Sequence, residues 1–369
     1  MKKIFFSQFT RKILKSVFAV LLFAGCANQL LKYEKVEHLK KIDEFDQQVK
    51  IVTPVVSPVV SSGVPVEVPS ATPVSPTQSK IGSIEPQKKL PSEPKESQKK
   101  KKKKIIHEEV LKPVVSTQHE PELEGEQGFI GRRPLKDPFR VNEKIVYSVT
   151  YLGMTAGALT MEMKPFVEVN GRKSYQFQMS AETKSIFSSI YTLDDYVVNL
   201  IDYETLIPSV FTLHVRESKQ LREARYLFDR NKGQVTYWEK KVTEKDGEQE
   251  KKLQWEAPDY TQNVFSAVQY MRVFSWEVGT EHAFRVADDG QNLVFHAKAI
   301  RKEKIKVDAG EFDTIVLNPQ VQLRGVAKPM GDIFVWLSDD DRKYIIKIEG
   351  KIKIGTLVLE ADEIKPGID

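Results

Sequence analysis

The sequence predicts a mainly β protein: a curved antiparallel sheet, or an open barrel or sandwich, of about a dozen strands with one helix, preceded by a disordered linker. Three observations carry this. Prolines crowd the stretch from Pro54 to Pro121, whereas aromatic-rich, foldable sequence begins only after about Asp137. Within 137–369, apolar residues recur at a period of two between turn signals such as Asn170-Gly171 and Asp288-Asp289-Gly290-Gln291. The run from Gly331 to Glu360 shows the pattern best. There Ile346, Ile348, Ile352, Ile354, Thr356 and Val358 are expected on one face, and Lys347, Glu349, Lys351 and Lys353 on the other, after a polar turn at 338–343.

A length of 369 residues would allow two or three domains, but this uneven composition leaves one foldable domain, 137–369. The net charge of +5 is modest, and much of it comes from one local lysine run, so it argues for no particular partner. Residues 1–25 read as an export signal: Lys2, Lys3, Arg11, Lys12 and Lys15 precede a short apolar run, Val17 to Ala24. That run is too short to span a bilayer as a helix. Cys26 is the only cysteine, which excludes a disulfide within the chain. The stretch Leu22-Phe23-Ala24-Gly25-Cys26 resembles the bacterial lipobox, with Phe23 where leucine is usual. The resemblance implies cleavage before Cys26 and transfer of a diacylglycerol to its sulfur (palmitate being a typical chain), and hence a membrane partner reached through a lipid anchor. Ala27 in place of an inner-membrane-retaining aspartate implies sorting to the outer membrane, facing the periplasm.

In 26–50, Val36, Leu39, Ile42, Phe45 and Val49 recur at spacings of three and four, which predicts one short amphipathic helix. Such a helix is expected to rest on the membrane or pack on nothing; a weak self-association seam is the alternative. From 51 to 136 proline density predicts an extended, disordered linker. Its roughly 85 residues could reach on the order of 260 Å if fully stretched. Inside it stand six consecutive lysines, Lys99, Lys100, Lys101, Lys102, Lys103 and Lys104. They read as a solvated, self-repelling run or, alternatively, as a contact for a polyanion or headgroup surface. Nucleic acid is not the expected partner, because no aromatics interleave the lysines.

Past Asp137, alternation predicts strands around Ile145–Tyr151, Leu159–Met163 and Tyr175–Met179, with Gly153 and Gly157 bracketing a turn and Asn170-Gly171 making the next one. A helical turn is expected at Ser185–Tyr191. Strands follow at 195–201, 209–216, 221–229 and 235–240, then a charged loop at 244–252. Asp259 is the expected N-cap of the one helix, whose face is Val264, Phe265, Val268 and Met271. Strands resume at 283–287, 293–299, 305–307 and 314–322, before the closing hairpin.

Four segments in this order resemble the domain of unknown function 3108, found in envelope proteins of Gram-negative bacteria. They are Glu143–Tyr147 with Tyr151-Leu152-Gly153 and Ala156-Gly157; Asn263–Ala267 through Met271-Arg272; Val307–Phe312; and Ile333–Asp340. The resemblance covers about Asp137 to Ala361. It implies architecture and an envelope location, and no activity. Asn263 stands where similar segments carry an aspartate, and Tyr344-Ile345-Ile346 where they carry a proline.

No catalytic constellation stands out. The histidines His38, His107, His119, His214, His282 and His296 do not pair at metal-ligand spacing, and His214 is expected to be structural. Asp339-Asp340-Asp341 reads as a turn rather than a calcium loop. Asp194-Asp195 and Asp288-Asp289 are adjacent on strands, so the two carboxylates of each pair point apart. The expected function is therefore non-catalytic, with no cofactor and no metal: a tethered β domain that binds a lipid-like ligand or an envelope protein. Met161, Met163, Phe177, Phe211 and Trp336 are candidate lining residues. A structural tether contacting an anionic cell-wall or membrane surface through the lysines is the alternative, and a hydrolase is a further one.

Overall fold

Nearly every period-of-two stretch becomes a strand. In the structure, a computed structural model, residues 30–34, 36–53, 137–323, 326–329, 333–351 and 355–368 are described. Cys26 and Lys99–Lys104 lie outside these residues, as do most of the expected linker and Ile352 and Ile354.

The first meander runs β2 (Val141–Tyr151), β3 (Met154–Val169), β4 (Arg172–Thr183), β5 (Asp194–Asp202), β6 (Pro208–Arg216), β7 (Gln220–Asp229), β8 (Gln234–Thr243) and β9 (Gly247–Glu256). The second runs β10 (Glu281–Asp288), β11 (Gln291–Val307), β12 (Gly310–Leu323), β14 (Ile333–Ser338), β15 (Ile345–Lys351) and β16 (Thr356–Ile368). The last strand pairs antiparallel with β2, joining both meanders into one sheet. With β1 (Ile51–Val52) on β3 and β13 (Val326–Pro329) on β12, the described residues form a 16-stranded sheet. Its free edges, β9 and β10, are consecutive in the chain, and the sheet is not closed. The tip of the β10–β11 hairpin bridges towards β9, where Lys251 pairs with Asp289 and Trp255 donates to Asn292.

Local chemistry explains the turns. Asn170 and Gly171 both take positive φ, 49° and 80°, as a tight hairpin requires. The turn before β3 is Leu152-Gly153; Gly157 instead lies within β3, where a Cβ would meet the Glu182 carbonyl oxygen at 2.4 Å. Residues 244–252 are not a loop. They form a turn and most of β9, an edge strand exposed along much of its length. Charge hides such a strand from a reading based on apolar alternation, and charged side chains are what an edge strand tolerates.

The connection from β9 to β10 carries α3 (Val264–Tyr270). Its N-cap is Asn263, not Asp259. The Asn263 side chain accepts from the Phe265 and Ser266 amides, and the Ser266 hydroxyl in turn accepts from the Asn263 amide. The residue that departs from the family pattern thus performs the capping itself. It also ties the helix to β5, donating to Asn199 at 2.9 Å.

The N-terminal residues correct the expectation of a helix resting on the membrane or on nothing. There are two short helices, α1 (Val36–Lys40) and α2 (Asp43–Gln48), and both pack on the sheet. Leu39 packs with Leu221 and Val242; Ile42 and Phe45 pack with Val167, Val169, Val210 and Trp238. These partners are side chains of β3 and β6–β8 on the face opposite α3. Those strands carry apolar residues on both faces, so they need cover on both, and 30–53 forms a strap that supplies it. Ile51 and Val52, expected to begin the linker, instead pair with Val169 and Glu168. The chain thus joins the fold before residue 54 and is back in it at Asp137, which bonds the Phe139 amide. The described residues before 54 are therefore part of the same fold as those from 137 on.

Candidate functional site

The helix α3 lies over the main core, and its two ends are fixed by polar contacts. At one end stands the Asn263 cap. At the other, Arg272 is 2 % exposed and spends its guanidinium entirely on the protein. It donates to Glu143 at 2.6 and 3.1 Å, to Gln269 at 3.0 Å, and to the carbonyls of Pro138 and Arg342. Arg342 donates to the same Glu143 at 2.6 Å. Burial pulls the Arg272 pKa down, and the charge of Glu143 outweighs it, so the guanidinium ends above its ordinary value. The turn that presents Arg342 is held by Asp340, which accepts from the Arg342 and Lys343 amides and the Ser338 hydroxyl. Two segments quoted from the sequence therefore meet at one buried cluster, Glu143 and Met271-Arg272, and a third, Ser338–Asp340, holds the turn that brings Arg342 to it. With every donor committed, the cluster positions the helix. The aspartates at 339–341 act in a turn, as expected.

Between these fixed ends, α3 and the sheet enclose an apolar cleft of about 130 Å³. Val264, Val268 and Met271 line it from the helix segment; Met161, Met179, Phe295 and Val335 are among the sheet residues facing them. The lining offers almost only carbon and sulfur. Three methionines make it adaptable in shape. Of the five residues expected to line a ligand site, only Met161 does. Met163 and Phe177 are packed in the core. Phe211 belongs to a separate core group, stacked on Phe265 at 4.8 Å. Trp336 points to the opposite face, where Lys347 sits 5.2 Å over its ring and Glu303 accepts from its indole. Only Trp336 is set apart by strand parity; Met163, Phe177 and Phe211 share the face of Met161 through the pairs Met163–Phe177, Phe177–Asn199 and Asn199–Phe211, and they lie elsewhere along it than the stretch that lines the cleft. A larger groove of about 660 Å³, beside the β7–β8 turn, has charged side chains in its lining that are already paired, Lys232 with Asp229 and Arg172 with the buried Asp202 behind it.

Two clusters were not expected from the sequence. Asp195 does not work with Asp194, which pairs with Arg216. It faces Glu217 across β5 and β6, and Tyr191 and Gln220 donate to Glu217. Burial, then the charge of Glu217, pushes Asp195 up to about 8; Glu217 is also pushed up, by burial. The sign follows from linkage. A carboxyl whose folded pKa is raised binds more protons folded than unfolded, so stability falls as pH rises from about 4 towards 8. Asp202 works oppositely: burial is outweighed by bonds from Arg172 and Thr205, and its contribution is lost only below about pH 4. Melting temperature is thus expected to be higher at pH 5 than at pH 8, and Asp195→Asn to flatten that slope. An unchanged slope in Asp195→Asn would remove the pair as its cause.

The second cluster is His38, Glu248 and Glu250, whose donor atoms lie within 4.8 Å of one another at the exposed surface. Tyr33 donates to Glu248, and Lys240 is 3.5 Å from Glu250, so both carboxylates already have protein partners. His214 is structural, as expected: it pairs with Glu223 at 2.7 Å and stacks on Tyr196.

The profile of a family described as "Protein of unknown function (DUF3108)" matches residues 146–362, more than half of the chain. No curated protein matches the sequence. Among solved structures, a β-barrel-like protein of domain of unknown function DUF1849 from Brucella abortus aligns with a TM-score of 0.41 and 8% identity, over 62% of this chain and 98% of that one. A protein with a YmcC-like fold from Bacteroides fragilis aligns with a TM-score of 0.28 and 8% identity, over 62% and 97%.

Proposed function

This chain belongs to the DUF3108 family of proteins of unknown function, and we propose that it is a non-catalytic, lipid-anchored protein of the cell envelope whose cleft holds an alkyl chain of a lipid. The cleft under α3 carries the reading. A site lined by aliphatic side chains and methionines offers dispersion contacts and no hydrogen-bond partner, which suits a hydrocarbon and rejects a polar metabolite. Its volume is close to the roughly 150 Å³ of an apolar cavity that takes up benzene, so it admits a segment of chain and leaves a headgroup outside. The leader and Cys26 support export and acylation, and Ala27 supports the outer membrane, with the domain facing the periplasm. An envelope protein presenting an acyl group is the corresponding partner.

The test uses the half-buried Val268, which faces the cleft. Val268→Trp fills the space from the helix side. Binding of a fluorescent medium-chain fatty acid is expected to weaken about tenfold or more, equivalent to about 1.4 kcal/mol. Organic extraction of the native protein followed by mass spectrometry is expected to release an acyl-containing lipid. Equal affinity in Val268→Trp, or extracts free of acyl lipid together with no fatty-acid binding, would sink the reading.

A further inference from the structure

Eight large apolar side chains are well exposed among the described residues, and four of them gather at one end of the sheet. Leu152 (56 % exposed) lies in the β2–β3 turn and Met154 (46 %) is the first residue of β3 after it; Ile186 (60 %) and Ile190 (46 %) lie on the connection from β4 to β5. The two segments adjoin. The Lys184 amide donates to the Ala156 carbonyl at 2.9 Å, and Tyr151 lies edge-to-face with Phe187. The next turn along, between β6 and β7, is tied to the same connection by Ser218 donating to Thr192 at 3.0 Å. To that turn the strap attaches its first described residues, the Leu31 amide donating to the Glu217 carbonyl at 3.0 Å.

Leu31 is five residues after Cys26. Even fully extended, five residues reach at most about 18 Å. A Cys26 held in a bilayer therefore keeps this end of the sheet at the bilayer surface, whatever the length of the stretch after residue 53. We propose that the rim formed by Leu152, Met154, Ile186 and Ile190 rests on the membrane that carries the acyl chains of Cys26; this builds on the anchor reading above. Apolar side chains projecting from turns, with aromatic rings directly behind them, suit the boundary between headgroups and acyl chains. The rim supplies a second membrane contact beside the lipid, and it fixes the orientation of the domain.

The single cysteine makes the test direct, because acylation leaves an introduced thiol as the only one free. Met154→Cys and Ile186→Cys are labelled with an environment-sensitive fluorophore in the full, acylated chain. Ile368→Cys, equally exposed, serves as the comparison; Ile368 pairs with Val141 at the opposite end of β2. The proteins are bound to phosphatidylethanolamine–phosphatidylglycerol vesicles containing a lipid quencher. Labels at 154 and 186 are expected to lose fluorescence and the label at 368 to retain it. Leu152→Asp with Ile190→Asp is expected to abolish the quenching at 186 while the chain stays vesicle-bound. Similar quenching at all three positions, or at none, overturns the rim while leaving the anchor intact. Failure of the acylated chain to float with vesicles, or flotation of Cys26→Ser equal to it, removes the anchor reading itself and the rim with it.

Discussion

Arg272→Met is expected to destabilise the protein by about 3–5 kcal/mol, because it leaves Glu143 buried with only one of its two cationic partners. The guanidinium joins four parts of the chain: the Pro138 carbonyl before β2, Glu143 within β2, Gln269 on α3, and the Arg342 carbonyl in the β14–β15 turn. Removing it frees the C-terminal end of the helix, so the cleft should lose its shape along with the fold its stability. The control separates the charge from the packing. Methionine fills much of the same volume, and Arg272→Met combined with Glu143→Met removes both charges. A buried ion pair replaced whole by apolar groups often costs little, whereas one broken by half costs its full desolvation. The double variant is therefore expected to melt in urea at a higher concentration than Arg272→Met alone. A loss below about 1 kcal/mol in the single variant would mean that packing alone fixes α3.

The sequence made the sheet legible because one side of most strands is covered and the other is wet. Where that contrast fails, the reading fails. β9 is wet on both sides along much of its length and passed for a loop. β7 is buried through six consecutive positions, Glu223 to Phe228, because the strap covers the face opposite α3. The strap shows the same limit from the other side. Its apolar set, Leu39, Ile42 and Phe45, was readable from spacing, but nothing in the spacing says whether such a face meets a membrane, a second copy or its own sheet. The site was less legible still. Arg272 and Glu143 are separated by more than a hundred positions, and neither charge announces its burial. The quoted family segments hold the one readable signal, since Glu143, Arg272 and the start of the aspartate-rich turn, Ser338–Asp340, all fall within them. Asp195 and Glu217 likewise meet across two strands, while the visible pair Asp194-Asp195 diverges as strand geometry demands.

Ile346→Asp should unfold or severely destabilise the protein, while Lys351→Asp on the same strand should move the urea midpoint little. Ile346 is fully buried in the main core, and Lys351 is exposed. The hairpin carries an irregularity there: Leu337 pairs with Ile345 and Trp336 with Lys347, so Ile346 is the extra residue. Both Ile345 and Ile346 therefore turn into the core, and the alternation resumes with Lys347 over Trp336 on the opposite face and Ile348 against the core. An aspartate at 346 places an unpaired carboxylate among apolar side chains, costing several kcal/mol out of a total stability of about 5–15 kcal/mol. A substitution at exposed Lys351 changes stability by about 0.5 kcal/mol or less. Ile345→Asp discriminates the extra residue from simple alternation. Strict alternation from Ile346 puts residue 345 with the lysines, on the wet side, where the change would be mild. The observed register puts it in the core, 1 % exposed, so its cost should match that of Ile346→Asp. A mild effect at 345 beside a severe one at 346 would show that β15 runs in unbroken alternation, and the β14–β15 pairing beside the cleft would have to be redrawn.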